Sequence, residues 1–442
     1  MNNNSFFVTT PIYYVNDAPH IGHAYTSIAC DVLARFNRLN GKTTMFLTGT
    51  DEHGLKVEQA AKKKNMDTKK FVDQMSKNFK KLSKTLNLSN DFFIRTTDIF
   101  HKKASQHIWN ILNKNDQIYL DKYKGWYSIS DEAYFNDDEI RIDEKTKKKI
   151  APSGNEVEWV EEESYFFKLS KWQDKLLDFY KKNPNFIGPD SRKNEVISFV
   201  KNGLNDLSIS RTTFSWGIEV PDDKKHVMYV WLDALINYLS AIGYPDKKYK
   251  KFWPADVHIV GKDIIRFHAI YWPAFLLAAG IEPPKRIFAH GWWTNEGKKI
   301  SKSLGNIIDP NEIINEYGLD ALRFFLLREV PFGNDGDFSK NSLQRRINND
   351  LANDLGNLVQ RVLTIVDKNL DGKLNKIKKI RKNDKKIYDY PKEILKKIEI
   401  NYEKQEFHKV IETIWKLISE ANKYVDENAP WQLLKDDKER AG

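Results

Sequence analysis

Apolar positions follow two different spacings in the first part of the chain. Short apolar runs at residues 6–10 and 44–48 have the length and composition of buried strands. Each run is followed by a segment in which apolar residues recur every three or four positions, as on one face of a helix. This alternation predicts a parallel sheet covered by helices over residues 1–117, the first half of a nucleotide-binding domain.

The pattern changes further along the chain. Residues 118–223 form short, aromatic and acidic segments with a turn at residues 187–190, which predicts an inserted connective domain. Strand and helix spacings return over residues 224–295, where we expect the second half of the nucleotide-binding domain. The sheet is therefore predicted to be split by the insertion.

The last part of the chain is predicted to be helical. Residues 296–340 begin with a Gly, Ser and Lys loop and continue with a capped helix, whereas residues 341–442 contain the long amphipathic segments of a helix bundle. The predicted fold class is α/β: a doubly wound parallel-sheet (Rossmann-like) domain, split by an inserted connective domain and followed by an α-helical bundle domain. A chain of 442 residues has room for these units.

Composition narrows the classes of protein to consider. Hydrophobic residues make up 40% and charged residues 30% of the chain, as in a soluble globular protein, and we find neither a membrane span nor a signal peptide, so we expect a cytoplasmic protein with no membrane partner. The single cysteine, Cys30, excludes an intramolecular disulfide and a cysteine zinc site. The net charge of +10 suits a polyanionic partner, although lysine runs such as residues 62–64 more often form only solvated surface.

Two histidines at the start of a predicted helix indicate a phosphate site. His20 and His23 flank Gly22 directly after the first predicted strand. A glycine lets a nucleotide approach the backbone, a helix N-terminus favours negative charge, and imidazoles donate hydrogen bonds to phosphate oxygens. An ordinary helix cap is the alternative interpretation.

A second stretch, KISKS at residues 299–303, places Lys299 and Lys302 three residues apart in the Gly, Ser and Lys loop. Two ammonium groups in such a loop suit the charge that develops on a departing pyrophosphate. Neither stretch is sufficient alone, but together they predict a protein that handles ATP at its α-phosphate.

These two stretches resemble the signature pair of the class I aminoacyl-tRNA synthetases. Five further motifs, which cover essentially the whole chain, resemble the methionyl-tRNA synthetase family in particular. They are TPIYYVN at residues 10–16, GTDEHG at 49–54, VWLDA at 230–234, GKDIIRFH at 261–268 and APW at 429–431. One short motif would be weak evidence, whereas five in register make chance an unsatisfactory explanation.

The resemblance implies an ATP site made of residues from three parts of the chain. The catalytic residues that it implies are His20, His23, Lys299 and Lys302. The residues implied for ATP binding are these four with Gly22, Gly261, Asp263 and Ser301. Gly261 and Asp263 would contact the ribose, since a carboxylate accepts hydrogen bonds from vicinal hydroxyls; a simple turn that opens a helix is the alternative.

The resemblance also implies a methionine pocket. Its members would be Ile12, Tyr14, Asp51, Trp231, Ala234, Tyr238, Ile264, His268 and Trp272. Asp51 would pair with the substrate ammonium group, and the Tyr238 hydroxyl and the Ile12 backbone N–H would donate to the thioether, which is a weak acceptor. By spacing alone, Trp231 and Tyr238 would be ordinary core residues.

In the helical part, Asn357 and Arg361 share one helix face and Trp431 follows Pro430 at a helix start. They resemble the family's readers of the CAU anticodon. These residue types suit that role, because single-stranded loop bases are recognised by stacking on aromatic rings and by hydrogen bonds to their edges. A Pro-Trp pair at a helix start is otherwise commonly part of a core. The resemblance thus implies an ATP-loop and stem-contact region at residues 296–340 and an anticodon-binding domain at 341–442, truncated relative to the family after Gly442.

The implied activity is that of a methionine-tRNA ligase, which activates L-methionine with ATP and transfers it to the 3' end of tRNA(Met). Mg²⁺ would accompany ATP, and a monomer is favoured. No zinc is expected. Many members of the family hold a zinc knuckle with Cys-x-x-Cys pairs in the insertion, but in the matching region of this chain, residues 124–135, Ser128 and Asp131 lie where such a pair would be sought. Packing of Trp126, Tyr127 and Phe135 would hold this knuckle instead. The alternatives are another class I synthetase, specific for leucine, valine, isoleucine or cysteine, and a non-catalytic tRNA-binding protein of the same fold.

Overall fold

The computed structural model describes residues 4–16, 18–131, 133–135, 137–144, 146–300, 306–374 and 380–441. The chain divides into two compact units, Met1–His290 and Gly291–Gly442. Each unit has its own sheet and helices.

A parallel sheet organises the first unit. Across the sheet the strands are Ile187–Gly188, Ile287–His290, Val257–Gly261, Ser5–Thr9, Thr43–Asp51 and Phe92–Arg95, with Tyr13–Tyr14 beside the end of Thr43–Asp51. Every neighbouring pair is parallel. Most residues of the central strands are buried, which explains why they are continuous apolar runs in the sequence.

The order of the strands reverses direction at the centre of the sheet. Ser5–Thr9 lies between Thr43–Asp51 and Val257–Gly261. The chain then continues outward to Phe92–Arg95 on one side and, much later, to Ile287–His290 on the other. Ligands of open α/β sheets bind beyond the carboxyl ends of the strands at such a reversal, so the loops after Thr9 and Gly261 are the place to look for a site.

Helices connect and cover these strands. They are Ile21–Leu39, Leu55–Lys63, Thr68–Thr85, Ile99–Lys114, Gln173–Lys182, Asp190–Lys201, Val230–Ser240 and Trp272–Ala278, with shorter 3₁₀ or π segments at Asp137–Glu139, Leu169–Trp172, Lys247–Lys251, Lys262–Ile264 and Phe267–Tyr271. The first helix buries the apolar face predicted for it, including Ile21, Tyr25 and Ile28. The observed architecture confirms the predicted α/β class.

The middle of the first unit contains antiparallel strands. One sheet has the order Leu207–Ser208, Glu158–Phe167, Ile118–Ser128, Ala133–Phe135; a second has Ser210–Arg211, Asp223–Met228, Glu219–Val220; and Arg141–Ile142 pairs with Lys149–Ile150. The turn predicted at residues 187–190 is wrong. Ile187–Gly188 is a strand of the parallel sheet, paired with Ile287 and Phe288. The sequence did not predict this strand because two residues are too few to show a repeating pattern of apolar positions.

The second unit is mainly helical. Its helices are Pro310–Tyr317, Leu319–Arg328, Lys340–Arg346, the π segment Ile347–Gly356, Asn357–Leu370, Lys382–Glu403, Phe407–Asn428, Pro430–Asp436 and Lys438–Ala441, and a small sheet joins Lys298–Lys299, Trp293–Asn295 and Gly336–Phe338. The predicted cap is confirmed, since the Asp309 carboxylate accepts the Asn311 N–H at 2.8 Å with Pro310 in the first turn. Within the described ranges, none of the helices combines the length and apolar character that crossing a bilayer requires.

Candidate active site

His20 and His23 form a reciprocal cap at the start of the helix Ile21–Leu39. Nδ1 of His20 accepts the Gly22 N–H at 3.1 Å, and Nδ1 of His23 accepts the His20 N–H at 3.0 Å. Since Nδ1 is the acceptor in both rings, a neutral imidazole here carries its proton on Nε2. Each ring therefore has an N–H donor on the atom that the cap does not use.

Burial keeps His23 neutral, because desolvation and the neighbouring His20 lower its pKa well below the usual value. The two ring centroids lie 4.0 Å apart, and His23 packs edge-on against Tyr13 and Phe79. A neutral N–H donor on His23 at a helix N-terminus, beyond the central strand, suits an anion without adding a buried charge.

The glycine between the histidines has a steric reason. A Cβ atom on Gly22 would lie 2.9 Å from Cε1 of His20, so any other residue would displace the ring that caps the helix. Thr26, one turn further along, donates to the Gly22 carbonyl at 3.0 Å and lies 2.7 Å from Nε2 of His290. The phosphate-site candidate is thus tied to the end of the strand Ile287–His290.

Gly261 and Asp263 lie at the carboxyl end of the strand next to Ser5–Thr9. A Cβ atom on Gly261 would lie 2.5 Å from Oδ1 of Asp263, so the close approach of that carboxylate requires glycine. The structure therefore brings Gly261 and Asp263 to the same edge of the sheet as the histidine cap.

The residues expected around methionine lie along this edge as well. Asp51 ends the strand Thr43–Asp51, is 7% exposed and is paired in register with Tyr14. Four others lie half-buried over the core of the first unit: Ile12, Tyr14, Trp231 and Ile264. The remaining four are buried: Ala234, Tyr238, His268 and Trp272.

Contacts join these side chains into one cluster. The Tyr238 hydroxyl lies 2.7 Å from Nε2 of His268, and the Tyr238 ring is 6.0 Å from that of Trp272. Trp231 stacks on Phe267 with ring centroids 3.8 Å apart. The arrangement is an apolar, aromatic wall of half-buried side chains over a buried, hydrogen-bonded floor.

Sequence reasoning missed several residues that shape this edge. Phe267 lies inside the GKDIIRFH motif and adds a ring face that its position alone did not reveal. Asp233 and Ser240 are polar, buried and two helical turns apart in the mainly apolar helix Val230–Ser240, and that spacing was the signal available in the sequence.

Glu52, next to Asp51, is held by a dense set of donors. Its carboxylate accepts two bonds from Arg95, at 2.6 and 2.8 Å, and one each from Thr50 and Thr97. Glu52 is fully buried, so its charge depends on these partners. The segment that carries Asp51 is therefore fixed from one side by the strand Phe92–Arg95.

The knuckle region is held by hydrogen bonds as well as by rings. Oδ2 of Asp131 accepts from Ser153 and Oδ1 accepts from Asn155, both at 2.6 Å, and the Ser128 hydroxyl accepts the Asp131 N–H at 3.2 Å. Trp126 packs on Trp159 at 5.1 Å. Among the residues that the structure describes, no group of three or more His, Cys, Asp or Glu side chains is placed to hold a metal ion.

The remaining candidates belong to the second unit. Lys299 ends the short strand Lys298–Lys299, whereas Ser301 and Lys302 lie outside the described residues. Arg361 donates to Asp426 and Asn422, each at 2.5 Å. Asn357, at the start of the same helix, is exposed.

Trp431 is 45% exposed, in the first turn of the helix Pro430–Asp436. That helix contacts the helix Asn357–Leu370. The three candidate anticodon readers thus lie on two helices that touch, and Trp431 is not enclosed in the core.

The chain is similar to known proteins of one family. The sequence model described as tRNA synthetases class I (M) matches residues 6–363. The chain is 58% identical to a methionine-tRNA ligase of Rickettsia bellii over 99% of this chain and 86% of that protein, and 51% identical to one of Brucella suis over 100% and 86%.

A solved structure, Mycobacterium tuberculosis methionyl-tRNA synthetase in complex with methionyl-adenylate, superposes with a TM-score of 0.96. It is 49% identical and covers 99% of this chain and 86% of that one. The family match spans most of the chain, and the histidine cap lies where the sheet reverses direction. The chain belongs to the methionine-tRNA ligases, within the class I aminoacyl-tRNA synthetases.

Proposed function

We propose that ATP and methionine bind side by side at the carboxyl edge of the parallel sheet, with the phosphates at His20, Gly22 and His23. The reciprocal cap, in which Nδ1 of each ring accepts a backbone N–H at the helix N-terminus, carries this proposal. Gly261 and Asp263, beyond the neighbouring strand, would hold the ribose hydroxyls. The ends of two adjacent strands then bind the phosphates and the ribose of one nucleotide.

Methionine occupies the aromatic cluster. Asp51 pairs with its ammonium group, while Ile12, Tyr14, Trp231 and Ile264 enclose the side chain. Ala234, Tyr238, His268 and Trp272 form the floor. A flexible thioether offers little polarity, so shape and ring contacts supply most of the discrimination.

The activation step needs positioning rather than a protein nucleophile. The methionine carboxylate oxygen attacks the α-phosphorus, the bond to the bridging oxygen breaks, and pyrophosphate leaves with the electron pair. His20 and His23 stabilise the charge that develops on the phosphate oxygens, and Lys299, Ser301 and Lys302 act on the departing pyrophosphate. A ribose hydroxyl of the terminal adenosine of tRNA then displaces AMP from the adenylate.

Mg²⁺ would arrive with ATP. The described residues contain no cluster of acidic side chains that would form a cage for it, which suits an ion held mainly by the phosphates themselves. When bound, it would screen the phosphate charges. No zinc is part of this proposal, because the Asp131 hydrogen bonds hold the knuckle.

The second unit reads the tRNA. Residues 296–340 contribute the ATP loop and contact the acceptor stem, and residues 341–442 bind the anticodon through Asn357, Arg361 and Trp431. An exposed ring and two polar side chains on touching helices support this role. Residues 118–223 form the connective insertion apart from the sheet strand Ile187–Gly188, and the enzyme acts as a monomer in the cytoplasm.

The test is exchange of labelled pyrophosphate into ATP with each of the standard amino acids. Exchange should require methionine, because the cluster around Trp231 and Tyr238 suits a long, unbranched apolar side chain. It should also require Mg²⁺, because the ion accompanies ATP. Comparable exchange with leucine or isoleucine would overturn the proposed pocket.

A further inference from the structure

Asp233 joins two histidines from distant parts of the chain. Its Oδ2 lies 2.6 Å from Nδ1 of His53, and its Oδ1 lies 2.7 Å from Nε2 of His101. Asp233 and His101 are fully buried and His53 is 2% exposed. The bridge therefore connects the loop after the strand Thr43–Asp51 to two helices without contact with water.

The helix Val230–Ser240 has two functional faces. At 100° per residue, Trp231, Ala234 and Tyr238 fall within about 60° of one another, and they form part of the proposed methionine pocket. Asp233 and Ser240 lie on nearly the opposite face. The residues on the second face set how the first face is presented.

His101 holds that second face at two points. Nε2 meets Asp233 at one end, and Nδ1 lies 2.8 Å from the Ser240 hydroxyl two turns later. One imidazole thus fixes both the rotation and the axial position of the helix relative to the helix Ile99–Lys114. A single hydrogen bond would fix neither.

His53 holds the other side of the bridge close to Asp51. Only Glu52 separates them, and the Glu52 carbonyl accepts the Trp216 indole N–H at 2.6 Å. The Gly54 N–H donates to the Trp216 carbonyl at 3.0 Å. The loop is rigid on both sides of His53, so a movement of that ring would be transmitted to Asp51.

Burial alone would raise the pKa of Asp233, but the positive potential and hydrogen bonds of His53 and His101 outweigh it and lower the pKa to about 2. Burying a carboxylate with two imidazoles costs desolvation free energy. Apolar side chains of similar volume often stabilise the folded state as much or more. The polar bridge instead defines a unique distance and orientation.

We propose that Asp233 is a positioning residue for methionine recognition, which holds the ammonium-binding Asp51 loop and the pocket face of the helix Val230–Ser240 in register through His53 and His101. This rests on the proposed pocket. It predicts that weakening the bridge raises the KM for methionine while the ATP site, built on the histidine cap and Gly261, keeps its affinity.

The test compares Asp233→Asn with a matched control, Asp31→Asn, by pyrophosphate exchange and thermal unfolding. Asp31 is also fully buried and accepts bonds from Arg35 and Ser89, but it anchors the far part of the helix Ile21–Leu39. Asparagine keeps one acceptor and presents an amide N–H to the other imidazole. We expect Asp233→Asn to raise the methionine KM roughly 10-fold to 100-fold with the ATP KM within about 2-fold of wild type, whereas Asp31→Asn alters neither.

A second pair of variants keeps the test valid if Asp233→Asn does not fold. In His53→Asn the side-chain amide N–H replaces the Nδ1–H donor, whereas the side chain in His53→Leu has no donor. The methionine KM of His53→Asn should therefore be nearer to that of wild type than the KM of His53→Leu. Equal methionine KM in both His53 variants, or proportional increases in the KM of methionine and ATP, would overturn the proposal. A wild-type enzyme without methionine-dependent exchange would instead refute the proposed function.

Discussion

The hydroxyl group of Tyr238 donates its proton to Nε2 of His268, 2.7 Å away. Nδ1 of His268 lies 3.0 Å from the Ile264 carbonyl and must carry the ring proton to donate to it. Burial lowers the pKa of His268 to about 4, so the ring is neutral and Nε2 can only accept. The Tyr238 proton is therefore directed at His268 in this arrangement, and the Ile12 N–H remains the other proposed donor to the thioether.

Acid should destabilise the protein through His268. A histidine whose pKa falls from 6.5 to about 4 on folding binds fewer protons in the folded state than in the unfolded state. Its contribution to stability is complete above pH 6.5 and is lost as the pH drops towards 4, with a ceiling of roughly 3 kcal/mol.

Thermal unfolding of wild type and His268→Gln between pH 7.5 and pH 4 measures this. His23 and His258 also have lowered pKa values because of burial, so a residual slope is expected in the variant. Identical slopes in the two proteins would show that His268 is not the group that titrates.

Replacing His20 separates its structural role from its proposed chemical one. Asn at position 20 still caps the helix, since Asn is among the best N-cap residues, but it lacks the distal N–H. We expect His20→Asn to lower kcat for pyrophosphate exchange by roughly 10² to 10³ with little change in melting temperature. His20→Gln, whose amide N–H reaches approximately the position of Nε2, should lose less activity; the reverse order would contradict donation from Nε2.

Removal of Arg95 should leave the buried Glu52 carboxylate with hydrogen bonds from Thr50 and Thr97 but without its cationic partner. We expect Arg95→Met to destabilise the protein by about 3–5 kcal/mol. The double variant Glu52→Gln/Arg95→Met should recover part of that loss, because the charge is then gone. Urea denaturation of the four proteins of this cycle measures the coupling, and purely additive effects would show that the two side chains act independently.

The purified protein should contain no stoichiometric zinc. Asp131 already uses both carboxylate oxygens on Ser153 and Asn155, and the only cysteine, Cys30, is buried in the helix Ile21–Leu39. Elemental analysis tests this. One tightly held zinc ion per chain, lost together with folded structure on chelation, would refute it.

Trp431→Ala should separate tRNA charging from adenylate formation. A stacking contact is worth about 1–3 kcal/mol, so kcat/KM for aminoacylation should fall roughly 10-fold to 100-fold. Pyrophosphate exchange without tRNA should remain close to wild type, because Trp431 is in the second unit. Trp431→Phe, which keeps a ring, is the control; if exchange and aminoacylation fell together in Trp431→Ala, the residue would be structural.

Much of the secondary structure and the fold class could be predicted from sequence, because burial and capping of a single element depend on residues that are close together in the chain. Strands buried on both faces are continuous apolar runs, and the helix after His20 shows its buried face as a period of three to four residues. The cap at Asp309 and Pro310 is likewise a matter of adjacent residues. The class of the fold and the family followed from such patterns and from motifs read in order.

Tertiary structure alone decided which distant groups meet. The strand Ile187–Gly188 joins the parallel sheet through backbone pairing, and two residues are too few to show that pairing as a sequence pattern. Asp233 meets His53 and His101 across 180 and 132 positions, and its carboxylate decides which nitrogen of each of these two rings donates a hydrogen bond. Sequence patterns record the burial and periodicity of single elements, whereas hydrogen bonds between elements depend on angles and distances that no single element contains.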